Sequence, residues 1–138
     1  MSASPIERLL AAFDKLDAER AVAGMAEDCS LLAVDGRRAD GRDGVRDLFA
    51  AVIAQLHSTS HRLTDQWHVG DVWIAEVEAN YVLVDRLELH DVPRVFILHE
   101  RDGATTDVRI YGAHERKLSE HGSGDGSLHV AGRWMPPL

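Results

Sequence analysis

The sequence predicts an α+β fold: three N-terminal helices packed across the concave face of a strongly curved antiparallel sheet. Three observations carry this expectation. In three segments before His57 the apolar residues recur every three or four positions; from His61 onward the period changes to two; and Gly70-Asp71 and Asp102-Gly103 punctuate the strands of the second half. The 138 residues suit one compact domain, expected over 1–115, with a C-terminal extension over 116–138 that has linker composition around 121–126, HGSGDG.

The elements follow in order. Ser4 is placed to cap a first helix, with Pro5 at its first position and Glu7 completing a capping box, and Ile6, Leu9, Leu10, Phe13 and Leu16 form its apolar face. Asp17 caps a second, short helix whose stripe is Ala21, Val22, Met25 and Ala26, ending in a turn at Glu27-Asp28. A strand from Cys29 to Val34 turns at Asp35-Gly36 onto a short partner through Arg38-Ala39-Asp40. The third helix, after Gly41 and up to His57, carries Val45, Leu48, Phe49, Val52, Ile53 and Leu56 on one face. Strands are then expected to about Val69, through Tyr81 after the turn at Gly70-Asp71, from Pro93, and from about Thr105 after Asp102-Gly103.

Charge and composition exclude several classes. Fifteen basic against 23 acidic residues give a net charge of −8, which opposes a broad grip on nucleic acid or on an anionic membrane. Cys29 is the only cysteine, so neither an intrachain disulfide nor a multi-cysteine zinc site is available. That usage, with a start that lacks a basic segment followed by an apolar core and with no apolar run near 18 residues, leads to the expectation of a cytoplasmic protein. No P-loop, GxGxxG or G-x-S-x-G string occurs, and no cofactor is expected. His57 and His61 have the i, i+4 spacing of zinc helices, but the Ser58-Thr59-Ser60 between them is weak helix and no acidic residue completes the set, so no metal is expected.

The hairpin around Gly70-Asp71 decides which side chains meet. With a three-residue loop Trp67 faces Ala75, Asp65 faces Val77, Leu63 faces Ala79 and His61 faces Tyr81, all toward the helices; a two-residue loop reverses the parity and turns Arg62, Thr64, Gln66 and His68 inward. The first register suits the apolar helix faces better. It makes His61 and Tyr81 neighbours, an imidazole beside a phenol, able to bind a carbonyl or hydroxyl or to move a proton. Glu76 and Glu78 then lie on the opposite face, to be solvated or paired with basic residues such as Arg109.

Several strings in this order resemble the nuclear transport factor 2-like superfamily, in particular its SnoaL-like proteins: Met25-Ala-Glu-Asp28, Asp35-Gly36, Gly41-Arg-Asp-Gly-Val45, His61-Arg-Leu-Thr-Asp65, Ala75-Glu76 with Tyr81, Pro93, Arg101-Asp-Gly103 and Val108-Arg-Ile-Tyr111. The resemblance runs from about Leu9 to Ala113. It implies a cone-like half-barrel, a pocket between the sheet and the helices, and often a homodimer formed through the sheets. The superfamily includes isomerases, cyclases, dehydratases, epoxide hydrolases and non-catalytic domains, so fold does not name an activity. Laid over this chain, the positions of a ketosteroid-isomerase-like catalytic set fall on Phe13, Ala33 and Phe96 or Ile97, all apolar. The aspartate used by some cyclases falls on Ala113, followed by His114. Arg109 with Asp107 gives only part of the Asp-Arg-Asp set of a limonene-epoxide-hydrolase-like site.

The expected function is the binding of a small hydrophobic molecule in a mostly apolar pocket, with His61 and Tyr81 as the candidate catalytic or polar residues. Phe13, Ala33, Phe49, Ile53, Leu63 and Asp65 are expected to line it, together with Trp67, Val77, Ala79, Phe96, Ile97 and Ile110. The alternatives are a cofactor-free isomerase, dehydratase or cyclase using His61, and a non-catalytic dimerisation domain.

Overall fold

The structure, a computed structural model, describes residues 3–112. The expected extension over 116–138, with Trp134 and Met135, and the Ala113-His114 pair lie outside the described residues.

Helix α1 (Pro5–Asp14) starts as its sequence dictates: the Ser4 hydroxyl accepts from the Glu7 amide at 3.0 Å, and the Glu7 carboxylate accepts from the Ser4 amide at 2.8 Å. Its buried face includes Ile6, Leu9, Leu10 and Phe13. The chain reverses through Leu16 at positive φ, and Asp17 caps α2 (Ala18–Val22) by accepting from the Arg20 amide. The helix stops before Gly24, so Met25 and Ala26 do not extend its stripe. They open strand β1 (Met25–Leu32), and the turn expected at Glu27-Asp28 is extended chain. The turn containing Gly36, at φ 92°, leads to β2 (Arg38–Asp40), and Gly41 starts α3 (Arg42–Ile53), which buries Val45, Phe49 and Val52.

Four long strands follow: β3 (Leu56–Val69), β4 (Val72–Leu83), β5 (Glu88–Arg101) and β6 (Ala104–Gly112). The sheet order is β2-β1-β6-β5-β4-β3. The α+β class is as expected, but two features of the expected sheet are corrected. β1 runs parallel to β6, Leu31 opposite Val108, so the sheet is mixed rather than antiparallel throughout. Among the described residues it is also open: β2 and β3 are its outer edges, and the sheet is neither closed nor strongly curled into a cone-like half-barrel. A three-residue β2 offers too few groups to meet a 14-residue β3 around a barrel.

The helices cover one face, α1 against β3, β4 and β5 and α3 against β1 and β2. Beneath them lie two apolar clusters. The larger joins Phe13 and Phe49 to Ala75, Val77, Phe96, Val108 and Ile110; the smaller holds Leu56, Ala79, Tyr81, Leu83, Leu89 and Val92. No helix among the described residues is long and apolar enough to cross a membrane.

Candidate functional site

The β3–β4 hairpin closes through a two-residue loop, Val69 opposite Val72, instead of the expected three. Close to the turn the parity is therefore reversed. Trp67 pairs with Ile74 and is 44% exposed, Asp65 pairs with Glu76 and is exposed, and Gln66 turns toward α1, where its Oε1 accepts from the Ser4 hydroxyl at 2.6 Å. A bulge between Leu63 and Asp65 then inserts one residue into β3 and restores the inward phase: Leu63 faces Val77, and His61 faces Ala79 rather than Tyr81. One irregularity separates the inward group from the outward one.

His61 sits at the seam between the two apolar clusters. Its side chain is 2% exposed, with ring centroids of Tyr81 at 6.1 Å, Phe13 at 6.2 Å and Phe96 at 6.3 Å. Phe13 stacks edge-on against Phe49 at 4.8 Å, which holds that wall in place. Nδ1 lies 2.8 Å from Oδ1 of Asp14, the last residue of α1, whose other oxygen is 3.4 Å from the His61 amide. Nε2 is buried among the described residues without a hydrogen-bond partner. A carboxylate accepts from Nδ1–H, and in the neutral imidazole that tautomer leaves the buried Nε2 as an acceptor.

The other expected residues divide by face. Ala33, Phe49, Val77, Ala79, Phe96 and Ile110 are buried on the helix side, and Leu63 and Ile53 pack there half-buried. Ile97 alternates with Phe96 and lies opposite Ile74 and Arg109 on the other side, as do Asp65 and Trp67, so these three stand apart from His61. On that outer face Arg62 pairs with Glu78, and Arg109 pairs with Asp107 at 2.9 Å instead of with either glutamate. Asp107 also accepts from Ser30. His57 and His61 lie on a strand, where four residues span ~13 Å, too far for a shared metal ion. Cys29 is fully buried, and burial pushes its thiol pKa up.

Two residues were missed. Asp14 follows Phe13 directly and is the first polar residue past the apolar stripe of α1; position alone gave no partner for it. Arg94 is 1% exposed and occupies an inward position in the alternation Val92, Arg94, Phe96, Leu98, so the period-two pattern did mark it. Clefts of about 370, 700 and 250 Å³ occur among the described residues, the first between α1 and α2 against Met25 and Leu98 and the third beside Arg94, Val77, Glu76 and Glu78, and none of the three is lined by His61.

Residues 6–119 match the SnoaL-like domain family. The chain belongs to that family. Solved structures with the nuclear transport factor 2-like fold agree with the assignment. A hypothetical protein of Catenulispora acidiphila with a ketosteroid isomerase-like fold, in complex with trimethylamine, has a TM-score of 0.73 at 17% identity, covering 82% of this chain and 88% of that one. An LEH-like epoxide hydrolase of M. tuberculosis has a TM-score of 0.68 at 16% identity, covering 79% and 80%. An NTF2-like protein of unknown function from Burkholderia pseudomallei has a TM-score of 0.70 at 14% identity, covering 79% and 88%. At these identities the SnoaL-like fold is what is shared. Comparison of the sequence with curated proteins gives no match.

Proposed function

We propose that this SnoaL-like chain binds a small hydrophobic molecule at the seam around His61, with Nε2 as the polar contact. The observation that carries this reading is the buried Nε2, without a partner among the described residues and surrounded by Phe13, Tyr81 and Phe96, while Asp14 occupies the other ring nitrogen. Leaving a buried polar atom unsatisfied costs about 1–3 kcal/mol, a cost that a ligand hydroxyl or carbonyl relieves. The trimethylamine complex of the Catenulispora acidiphila protein supports a fold that admits small molecules.

The Asp14–His61 pair favours a second reading in the same place, a cofactor-free isomerase, dehydratase or cyclase. The Nε2 lone pair takes a proton from a carbon beside a ligand carbonyl or from a hydroxyl and returns it, while Asp14 holds the ring and balances its charge. Titration with a panel of hydrophobic ketones, lactones and epoxides tests both. Saturable binding that weakens at least tenfold in His61→Ala supports the site, and affinity unchanged in that variant overturns it. Product formation lost in His61→Ala and lowered about 10²–10⁴-fold in Asp14→Asn assigns the enzyme.

The outer sheet face, with Trp67 44% and Tyr111 41% exposed, is where we place a homodimer contact. Light scattering giving twice the chain mass, and one chain mass for Trp67→Asp, is the expected result.

A further inference from the structure

We infer a second binding site, in the cleft between α1 and α2, for a small amphiphilic carboxylate: a short alkyl chain that ends in a carboxyl group. The cleft shares no residue with the surroundings of His61, so the inference stands apart from that site. Its volume of about 370 Å³ falls in the ~300–1,000 Å³ range of small-molecule sites. Leu9 of α1 and Ala21 of α2 line it together with Met25 and Leu98 of the sheet, all members of the larger apolar cluster. Such a lining takes an alkyl chain out of water.

The same cleft is cationic. Arg8 of α1 and Arg20 of α2 both line it, both are exposed, and neither has an ion-pair partner among the described residues. Nη1 of Arg8 donates to the carbonyl of Ala3, another residue of the cleft, at 2.5 Å, which restrains the guanidinium and leaves its other N–H groups for a ligand. Glu7 is the one carboxylate of the lining, and it is committed to the helix cap, accepting from the Ser4 amide at 2.8 Å. Two guanidiniums therefore face one occupied carboxylate, a local positive excess in a chain whose net charge is −8. Guanidinium forks suit a planar carboxylate, and a neutral amide offers them a single weaker acceptor. A second observation points into the same space. Thr105 of β6 lines the cleft at 7% exposure, and its hydroxyl has no hydrogen-bond partner among the described residues. The Thr105 amide, by contrast, donates to the Gly24 carbonyl at 3.0 Å. A hydroxyl so enclosed ordinarily has a partner within the protein, and a ligand oxygen supplies one here.

Calorimetry and NMR on the full chain test this with octanoate, octanamide and acetate as probes. Octanoate should bind saturably and at least tenfold more tightly than octanamide, and acetate, which lacks the chain, should not saturate. The double variant Arg8→Gln, Arg20→Gln, at two exposed positions, should bring octanoate and octanamide to within twofold of each other. His61→Ala should leave octanoate affinity within twofold. Amide shifts on adding octanoate should centre on Met25 and Thr105 and spare Asp14 and His61. Equal affinity for octanoate and octanamide, a preference that survives the double substitution, or shifts centred on His61 overturns the inference. Acetate binding as tightly as octanoate overturns it as well, as does octanoate that fails to saturate the full chain, including the case in which residues after 112 already fill the cleft.

Discussion

At the residue scale, the imidazole of His61 meets two demands that pull apart. As a structural group it needs both nitrogens satisfied; as a binding group it needs one left open, and among the described residues only Nδ1 has a partner, Asp14 at 2.8 Å. His61→Phe separates the two roles. Phenyl fits among Phe13, Tyr81 and Phe96 and carries no polar atom to bury, while Asp14, 34% exposed, can turn to water. The expected outcome by chemical denaturation is a stability within about 1 kcal/mol of the unmodified protein or higher, with ligand affinity lost. A loss above about 3 kcal/mol would make the imidazole a structural member. Cys29 gives a second check: its thiol is buried and its pKa raised, so it should resist iodoacetamide at pH 8 in the folded chain and react fully in denaturant. Alternation alone placed His61 and Tyr81 in one neighbourhood, even with the pairing wrong by two residues. Asp14 was not legible, because a carboxylate at a helix end acquires its meaning only from a strand 47 residues away.

Elements were legible where local chemistry decides them. The Ser4, Pro5 and Glu7 start, the Asp17 cap and the Asp102-Gly103 turn, both of whose residues take positive φ, all read directly from side-chain type. The boundary of α2 and the phase of β3 did not. Met25 fits a helical stripe and a strand equally well, and its pairing with Thr105 settles the matter. In β3 one inserted residue turns Asp65 and Trp67 outward while leaving His61 inward, and no composition signal announces a bulge. The same strand gives a prediction about α1. The Ser4 hydroxyl both caps the helix and donates to Gln66 Oε1 at 2.6 Å, tying the start of α1 to β3. Ser4→Ala should cost about 1–2 kcal/mol by urea denaturation, more than Gln66→Ala, which removes only the tie. Equal costs would mean that the cap contributes nothing beyond the link to β3.

At the scale of the whole molecule, the sheet depends on a contact that no periodicity encodes. β1 lies beside β6 with Met25 opposite Thr105, and this parallel pairing joins the N-terminal hairpin to the strands that follow α3. Strand order is a non-local property, paid for in loop-closure entropy and fixed only when both apolar faces find the same core. An antiparallel, curled sheet and a mixed, open one use the same alternating strands, so the pattern could not choose between them. The open order has a measurable consequence. β4, β5 and β6 each have a neighbour on both sides and carry the inward residues Val77, Phe96 and Ile110 of the larger cluster. Among the described residues β2 is a three-residue edge with Arg38 and Asp40 exposed, and β3 is bonded on one side only. Native-state hydrogen exchange should therefore show amides of β4 to β6 opening only with global unfolding, those of β2 exchanging first, and those of β3 split between its paired and edge-facing groups. Amides of β2 protected as strongly as those of β5 would show that this edge is covered in solution, and the sheet would then have to be redrawn with a further strand or a second chain beside it.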